Sequence, residues 1–178
     1  MASMFIYFCG SIRGGRQDAE VYASLIEKLQ SYGTVLTEHV GSKDGCVKDE
    51  KEMTEKDIHD RDMKWLDQSD VIVAEVTQPS LGVGYELGRA IAMNKKVLCM
   101  FRLQAEKKLS AMIRGAEGDS VTVRDYKLAE ADEIFSEFLG SKEQKNGNDA
   151  AAEKDDDDDL VDDADDAEGD DDDEAEDQ

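Results

Sequence analysis

The sequence predicts an α/β protein with a doubly wound, five-stranded parallel sheet of the Rossmann or flavodoxin type, followed by a disordered acidic tail. Three observations lead to this prediction. Short β-branched or aromatic runs alternate with segments of helical periodicity. These runs are apolar throughout, as in strands that helices cover on both faces. The final segment of the chain, in contrast, consists almost entirely of acidic residues.

Five apolar runs are the predicted strands. They are Phe5–Cys9, Thr34–Thr37, Val71–Val76, Lys96–Phe101 and Val121–Arg124. Because crossovers between parallel strands are right-handed, we expect the strand order 2-1-3-4-5, with the switch point between the first and third strands. The loops that follow these two strands should therefore meet at the carboxyl edge of the sheet.

Helices are predicted between the strands. Apolar residues recur at helical spacing from Asp18 to Tyr32, and Gly33 is expected to cap that helix. The other predicted helices are Met53–Leu66, Gly84–Met93, a short one at Leu109–Arg114 and a closing one at Leu128–Leu139. With a helix that begins near Gly84, Glu86 falls in the first turn.

The acidic tail carries most of the charge. Residues 146–178 contain nineteen Asp and Glu and one Lys, a net charge of −18 out of −23, which leaves −5 for residues 1–145. The tail has too few apolar side chains to offset its chain entropy, so we predict a folded domain at 1–145 and a disordered tail at 146–178. The acidic balance disfavours binding to DNA or RNA but is compatible with basic protein partners.

No segment has the pattern of a targeting peptide or of a membrane span. Cys9, Cys46 and Cys99 lack the spacing of a disulfide framework or a metal site, and His39 and His59 show no ligand spacing either. We expect reduced thiols, and therefore a cytosolic or nuclear protein that does not contact a membrane.

Two glycine-containing loops lie at the predicted switch point. The first, Gly10–Arg16, combines glycines with a hydroxyl group and two arginines, Arg13 and Arg16, that can grip a phosphate, although it matches neither the dinucleotide nor the triphosphate motif. An ordinary turn with solvent-facing arginines explains it equally well. The second, Thr77–Gly84, suits an anion at a helix entry. Glu86, just beyond it, is either an acid that complements the helix dipole or one that reacts with a phosphorylated small molecule.

Other candidate residues are less distinctive by pattern. Asp62 precedes Trp65 by three residues, which places it near the buried edge of a helix, yet most helix aspartates are simply solvated. Tyr7 lies in the middle of a strand, where core packing is the ordinary explanation.

Four longer stretches form the most specific pattern in the chain. They are YFCGSIRGGR (Tyr7–Arg16), GTVLTEHV (Gly33–Val40), AEVTQPSLGVGYELGRA (Ala74–Ala90) and LSAMIRG (Leu109–Gly115). Together they resemble the animal 2'-deoxynucleoside 5'-phosphate N-hydrolases, which belong to the nucleoside 2-deoxyribosyltransferase-like group. The resemblance covers about Phe5 to Tyr126 and does not include the acidic tail.

The resemblance implies roles for individual residues. Glu86, in GYELG, corresponds to the nucleophile that attacks the anomeric carbon, and Asp62 to a second carboxylate that holds the deoxyribose and takes part in acid–base chemistry. Tyr7 corresponds to a tyrosine that lines the site, and His39 to a histidine beside the base.

The resemblance also implies a phosphate pocket and a second subunit. The pocket around the 5'-phosphate would contain Gly10, Ser11, Ile12, Arg13, Ser80 and Gly82. Ser110 and Met112 correspond to residues that the other subunit of a homodimer contributes to the site.

Pattern and resemblance together predict a hydrolase that splits deoxynucleoside 5'-monophosphates into a free base and 2-deoxyribose 5-phosphate, without a metal or an organic cofactor. A carboxylate can stabilise or capture the oxocarbenium-like state, and binding of the remote 5'-phosphate can supply orientation energy. Two alternatives remain open: a deoxyribosyltransferase with room for an acceptor base, and a non-catalytic protein that binds partners through its acidic tail.

Overall fold

The computed structural model describes residues 4–43, 45, 50–103 and 107–140. The predicted tail at 146–178, its boundary with the folded domain, and Cys46 lie outside these residues. The strands are β1 Met4–Cys9, β2 Gly33–Val35, β3 Val71–Glu75, β4 Lys96–Arg102 and β5 Val121–Tyr126. The helices are α1 Ala19–Leu29, α2 Glu55–Gln68, α3 Leu81–Ala92, α4 Ala111–Arg114 and α5 Ala131–Leu139, with short 3-10 turns at Glu38–Gly41, Glu50–Glu52 and Leu128–Glu130. None of the helices in the described ranges has the length and apolarity needed to span a bilayer.

The strands form one parallel sheet in the order β2-β1-β3-β4-β5, which confirms the predicted fold class and switch point. β1 pairs with β2 on one side and with β3 on the other, so the loops that follow β1 and β3 leave the sheet side by side. The crossovers that parallel pairing requires explain why a helix lies between most successive strands.

Side-chain alternation along β1 divides the core into two layers. Ile6 and Phe8 are buried on the face that α1 and α5 cover. Tyr7 and Cys9 are buried on the opposite face, against side chains of α2 and α3 such as Leu66. Because residues two apart on a strand share a face, the tyrosine and the thiol both lie below α3, the helix that carries Glu86.

Helix α3 begins three residues earlier than the sequence pattern predicts. Ser80 is its N-cap and accepts a hydrogen bond from the N–H of Val83 at 3.4 Å. Gly82 and Gly84 therefore lie inside the first turn, where glycine weakens a helix, and a Cβ atom at Gly84 would have open space around it. Glu86 is consequently in the second turn, and the prediction that it complements the dipole from the first turn is wrong.

Two details around β2 also differ from prediction. The backbone of Gln30, not that of Gly33, caps α1. Gly33 begins β2, where a Cβ atom would lie only 2.2 Å from the carbonyl oxygen of Met4, so a side chain would force the two strands apart. The strand itself ends at Val35, before the predicted end at Thr37, because the Thr37 hydroxyl hydrogen-bonds the backbone of Phe8 in place of a ladder pair.

Candidate active site

The two glycine-containing loops meet at the switch point. The side-chain amide of Gln78 donates to the carbonyl oxygen of Gly14 at 3.0 Å. A Cβ atom on Gly14 would lie 2.8 Å from the Pro79 carbonyl oxygen and 2.8 Å from the Ser11 hydroxyl oxygen. Only a residue without a side chain permits this approach, so the glycine explains how the loops pack against each other.

A cleft of about 490 Å³ opens between these loops and helices α2 and α3. We call it the Glu86 cleft. Its walls contain eight of the predicted site residues, namely Gly10, Ile12, Arg13, His39, Asp62, Ser80, Gly82 and Glu86. The volume lies in the range of small-molecule sites, and its position follows from the order of the strands.

Glu86 reaches back from α3 over the carboxyl end of β1. Its Oε1 accepts a hydrogen bond of 2.7 Å from the Tyr7 hydroxyl, and the Cys9 thiol interacts with the same carboxylate. Burial and the charge of Asp62 raise the pKa of Glu86 to about 7, against the opposing effect of the two hydrogen bonds. The acid is therefore partly protonated at neutral pH and gains nucleophilic strength above it.

Tyr7 acts as a fixed donor to Glu86. Burial, followed by the charge of Glu86, raises the pKa of the phenol far above its ordinary value. Its hydroxyl therefore keeps its proton at any physiological pH. This bond holds Oε1 of Glu86, a residue of the cleft lining, in a fixed position.

Asp62 lies on α2 and is held by its neighbour Arg61. Asp62 Oδ1 accepts from Arg61 Nε at 3.0 Å and lies 2.9 Å from Nη2. Burial raises the pKa of Asp62, and the Arg61 guanidinium opposes that shift. Arg61 also pairs with Glu50 at 3.1 Å. This role of Arg61 was not predictable from sequence, because only the folded chain brings the Glu50–Glu52 turn against α2.

His39 borders the same cleft and packs on Trp65, with 5.8 Å between the ring centroids. Burial and the nearby charge of Arg61 lower the pKa of His39 to about 4. The imidazole is thus neutral at physiological pH, with one nitrogen able to donate a hydrogen bond and the other able to accept one.

The loop after β1 contains one buried hydroxyl group and one exposed cation. The N–H of Ser11 donates to the Tyr22 hydroxyl at 3.2 Å, while Ser11 Oγ has no hydrogen-bond partner among the described residues. Gly10 packs below Tyr22 and Val40, where a Cβ atom would come within 3.0 Å of both side chains. Arg13 lies at the mouth of the cleft, and its Nη1 donates to Glu55 at 2.9 Å.

Arg16 is the other arginine that the sequence offers as a phosphate ligand, but its guanidinium binds backbone carbonyl groups instead. Its guanidinium donates to the carbonyl oxygens of Ser11 at 3.1 Å and Val40 at 3.0 Å, and also to that of Ser42. These bonds fasten the loop after β1 to the segment after β2. The structure therefore gives Arg16 a structural role and leaves Arg13 as the cation at the cleft.

Ser110 and Met112 lie apart from Glu86 within one protomer. They border a second cleft of about 480 Å³, which we call the Met112 cleft, on the other side of the first turn of α3. Met112 is 82% exposed and Leu81, which borders both clefts, is 96% exposed. Within the described ranges, no group of three or more His, Cys, Asp or Glu side chains is arranged to hold a metal ion.

Comparison with known proteins identifies the class to which the fold and cleft belong. Residues 6–125 match the profile of the nucleoside 2-deoxyribosyltransferase family, and the chain is a member of that family. This confirms the resemblance drawn from the four sequence stretches.

Several named relatives are similar to this chain over most of their length. The chain is 58% identical over 141 residues to the 5-hydroxymethyl-dUMP N-hydrolase of Tetraodon nigroviridis, a match that covers 78% of this chain and 99% of the relative. It is 60% identical over 137 residues to the protein of the same name from Danio rerio, and this match covers 76% of this chain and 96% of the relative. A CMP N-glycosidase from Clostridium botulinum has a similar fold, with a TM-score of 0.56 at 20% identity over 75% of this chain and 98% of that one.

Proposed function

We propose that this chain hydrolyses the N-glycosidic bond of 2'-deoxynucleoside 5'-monophosphates and releases a free base and 2-deoxyribose 5-phosphate. The observation that carries the proposal is Glu86, whose carboxylate lies in the wall of a nucleotide-sized cleft with one oxygen bound by Tyr7. Family membership and the N-hydrolase names of the relatives support the reaction class. The same names make 5-hydroxymethyl-dUMP the first substrate to test.

The chemistry follows from the two carboxylates. Glu86 Oε2 attacks C1 of the deoxyribose while the C–N bond to the base breaks. The electron pair of the C–N bond leaves with the base, which takes up a proton. Water then cleaves the resulting glycosyl ester, giving up a proton, and returns Glu86 as a carboxylate. Absence of a 2'-hydroxyl eases formation of the oxocarbenium-like state, which fits a deoxy substrate.

Asp62 and His39 are assigned to the sugar and the base. Asp62 faces the cleft near Glu86, close enough for its charge to raise the Glu86 pKa, and we assign it to the sugar hydroxyl and to proton transfer. His39, neutral and in tilted contact with the Trp65 ring, is assigned to the edge of the base.

Arg13 is assigned to the 5'-phosphate. Its position at the mouth of the cleft, beside the buried hydroxyl of Ser11 and the capped N-terminus of α3, supports this role. The carboxylate of Glu55, which now accepts from Arg13, occupies the position that a phosphate oxygen would take, so substrate must displace it.

We further propose that two copies form a homodimer in which Ser110 and Met112 complete the partner's site. The exposed apolar side chains of Leu81 and Met112 around the Met112 cleft support it. Sedimentation of the wild type as a dimer and of Met112→Asp as a monomer is the expected result. A monomeric wild type at assay concentration would contradict the proposal.

The role of the acidic tail and the cellular compartment are proposed from sequence alone. We propose that residues 146–178 bind basic protein partners and that the protein works in the cytosol or nucleus. Deletion of the tail should leave hydrolysis intact and abolish retention of a basic partner such as histone. Loss of hydrolysis on deletion would instead place part of the enzyme in the tail.

The reaction is tested by product analysis with the full chain. A panel of deoxynucleoside 5'-monophosphates that includes 5-hydroxymethyl-dUMP should yield free base and 2-deoxyribose 5-phosphate, whereas the matching ribonucleotides and unphosphorylated deoxynucleosides should react far more slowly. Excess free base of a second kind distinguishes the alternative. If a new nucleotide accumulates in place of the sugar phosphate, the chain is a transferase.

A further inference from the structure

Arg61 lies between the side chains assigned to the sugar and to the base, and the family resemblance gives it no role. Its side chain is only 15% exposed. Nε donates to Asp62 Oδ1 at 3.0 Å with Nη2 2.9 Å from the same oxygen, and Nη1 donates to Glu50 Oε2 at 3.1 Å. The guanidinium is thus fixed by two carboxylates, one from its own helix and one from the 3-10 turn that precedes it.

This pairing selects one oxygen of Asp62. Arg61 occupies Oδ1, whereas no donor in the described part of the chain reaches Oδ2. The Asp62 side chain is 22% exposed and lines the Glu86 cleft. Since Oδ1 is taken, Oδ2 is the oxygen that can meet a sugar hydroxyl or exchange a proton.

The same guanidinium is linked to His39 through Trp65 of α2. Its Cζ lies 4.7 Å from the centroid of the Trp65 ring, the distance of a cation–π contact. Trp65 in turn contacts the His39 imidazole, with 5.8 Å between ring centroids. A second positive charge on His39 would lie near the first, which favours the neutral imidazole.

We propose that Arg61 is a positioning residue that couples Asp62 and His39 in the Glu86 cleft, fixing Asp62 with Oδ2 toward the sugar and acting together with burial to keep His39 neutral beside the base. A neutral imidazole can both donate and accept, so it suits a base edge that carries a carbonyl next to an N–H or hydroxyl group. The catalytic part of this inference rests on the proposed function, but the effect on His39 is a property of the free protein.

Several titratable groups face these two side chains. Around Asp62 they are Arg61 and His59 of α2, Glu50, Glu86 of α3, and Tyr7 and Cys9 of β1. Around His39 they are Arg61, Glu50 and Arg16. Arg61 lowers the pKa of both Asp62 and His39, so its removal should raise the pKa of both.

The first experiment does not require turnover. The chain has two histidines, so an NMR titration of the full-length protein gives two imidazole signals, which His39→Gln assigns. In Arg61→Gln the midpoint of His39 should move upward from about 4. Arg61→Lys keeps the charge and should restore most of the His39 midpoint. A His39 midpoint in Arg61→Gln equal to that of the wild type would overturn the coupling.

The second experiment measures turnover of the nucleotide that the wild type cleaves. Arg61→Gln should lower kcat by about 10- to 100-fold, as expected when a charge-assisted bond to a reacting group is lost, with less change in KM. The limb of the pH–rate profile that reports Asp62 should move to higher pH. Arg61→Lys should recover the position of the limb but only part of kcat, because a single ammonium cannot fork onto Asp62 and Glu50 together.

Arg124→Gln is the matched control, since Arg124 is an exposed arginine of β5 that borders neither the Glu86 cleft nor the Met112 cleft. It should leave the His39 midpoint and the pH profile unchanged. If Arg61→Gln changes only the melting temperature, as a purely structural arginine would, the positioning role is wrong. If the His39 midpoint shifts as expected but neither the wild type nor Arg61→Gln cleaves any nucleotide, the proposed function fails and the electrostatic coupling stands.

Discussion

Glu75 and Glu86 are acids near the same edge of the sheet, and burial raises the pKa of both, but their surroundings differ. Glu75, at the end of β3, is fully buried. It accepts from the Thr77 hydroxyl and N–H, from Arg102 at 3.2 Å and from the Tyr126 hydroxyl at 3.2 Å, and Arg102 also pairs with Asp18. Burial raises the Glu75 pKa, and the bonds to Thr77 and Arg102 oppose the shift.

Glu86 lies on the opposite face of the sheet and forms no ion pair with any described residue. Its carboxylate contacts the Tyr7 phenol and the Cys9 thiol and borders the Glu86 cleft. Burial raises its pKa to about 7. Burial alone therefore does not distinguish a reactive acid from a structural one. The difference is whether the protein itself satisfies the charge.

The largest expected effect is the loss of turnover in Glu86→Gln. The amide keeps the shape of the side chain but cannot form the glycosyl ester, so kcat should fall by at least about 10³-fold. The measurement is release of free base from the nucleotide that the wild type cleaves best. Glu133→Gln, an exposed acid on α5, is the control. Turnover of Glu86→Gln near the wild-type rate would remove Glu86 as nucleophile.

Glu75→Gln should affect stability instead. Removal of the charge leaves Arg102 with only part of its compensation inside the protein, which should lower the free energy of unfolding by about 3 kcal/mol. Urea denaturation followed by circular dichroism measures this. The folded fraction should keep a kcat close to wild type. A large fall in kcat at unchanged stability would make Glu75 part of the reaction and erase the contrast with Glu86.

Glu86 itself should cost stability at alkaline pH. Its folded-state pKa of about 7 lies above the ordinary value of 4.5, so folding favours the protonated acid, and the free energy of unfolding falls as pH rises from 4.5 to beyond 7. Glu86→Gln mimics the protonated form. It should be more stable than wild type by on the order of 2 kcal/mol near about pH 8, with the difference vanishing near about pH 4. Equal denaturation midpoints at both pH values would contradict the raised pKa.

Arg13→Ala should weaken binding more than chemistry. Loss of one exposed cation at the cleft mouth should raise KM by about tenfold with a smaller change in kcat, because the phosphate is remote from the bond that breaks. Arg89→Ala removes an exposed arginine of α3 that borders neither cleft and serves as control. A change confined to kcat would remove Arg13 from the phosphate site.

The smallest effect expected is a shift of the pH profile in Tyr7→Phe. The phenol lowers the Glu86 pKa by hydrogen bonding, so its loss should raise that pKa and move the acidic limb of kcat/KM to higher pH. Tyr126→Phe removes the phenol that serves Glu75 and should leave the limb in place. Identical limbs in wild type and Tyr7→Phe would show that the bond does not tune Glu86.

The fold was predictable because its signals are local and agree with one another. β1, β3 and β4 are short, mostly apolar runs, and parallel topology then places the loops after β1 and β3 together without reference to function. The start of α3 was not predictable in the same way. Gly82 and Gly84 lower helix propensity, and the Ser80 cap with packing of Val83 and Leu87 outweighs them only in the folded chain.

The predicted site residues show the same difference between local sequence signals and contacts that only folding creates. Motifs within one loop or one helix turn pointed to Glu86 and Arg13, and the family resemblance pointed to Asp62. All three border the cleft, although their roles stay predictions. Contacts between distant segments were not visible in the sequence. The pair of Arg61 with Glu50 joins α2 to a turn without periodicity, and Arg16 looked like a phosphate ligand until folding placed backbone carbonyls around it.

The glycines in the first turn of α3 have a consequence for local opening. Gly82 and Gly84 each cost about 1 kcal/mol relative to alanine, and a Cβ atom would meet no closer neighbour than the Ser80 hydroxyl at 3.7 Å. The Ser80 cap and the burial of Val83 hold this turn, but the two glycines weaken it, so it should fray before the rest of the helix. Amide hydrogen exchange at 81–84 should outpace that at 87–91, and an empty enzyme should exchange there faster than one holding 2-deoxyribose 5-phosphate.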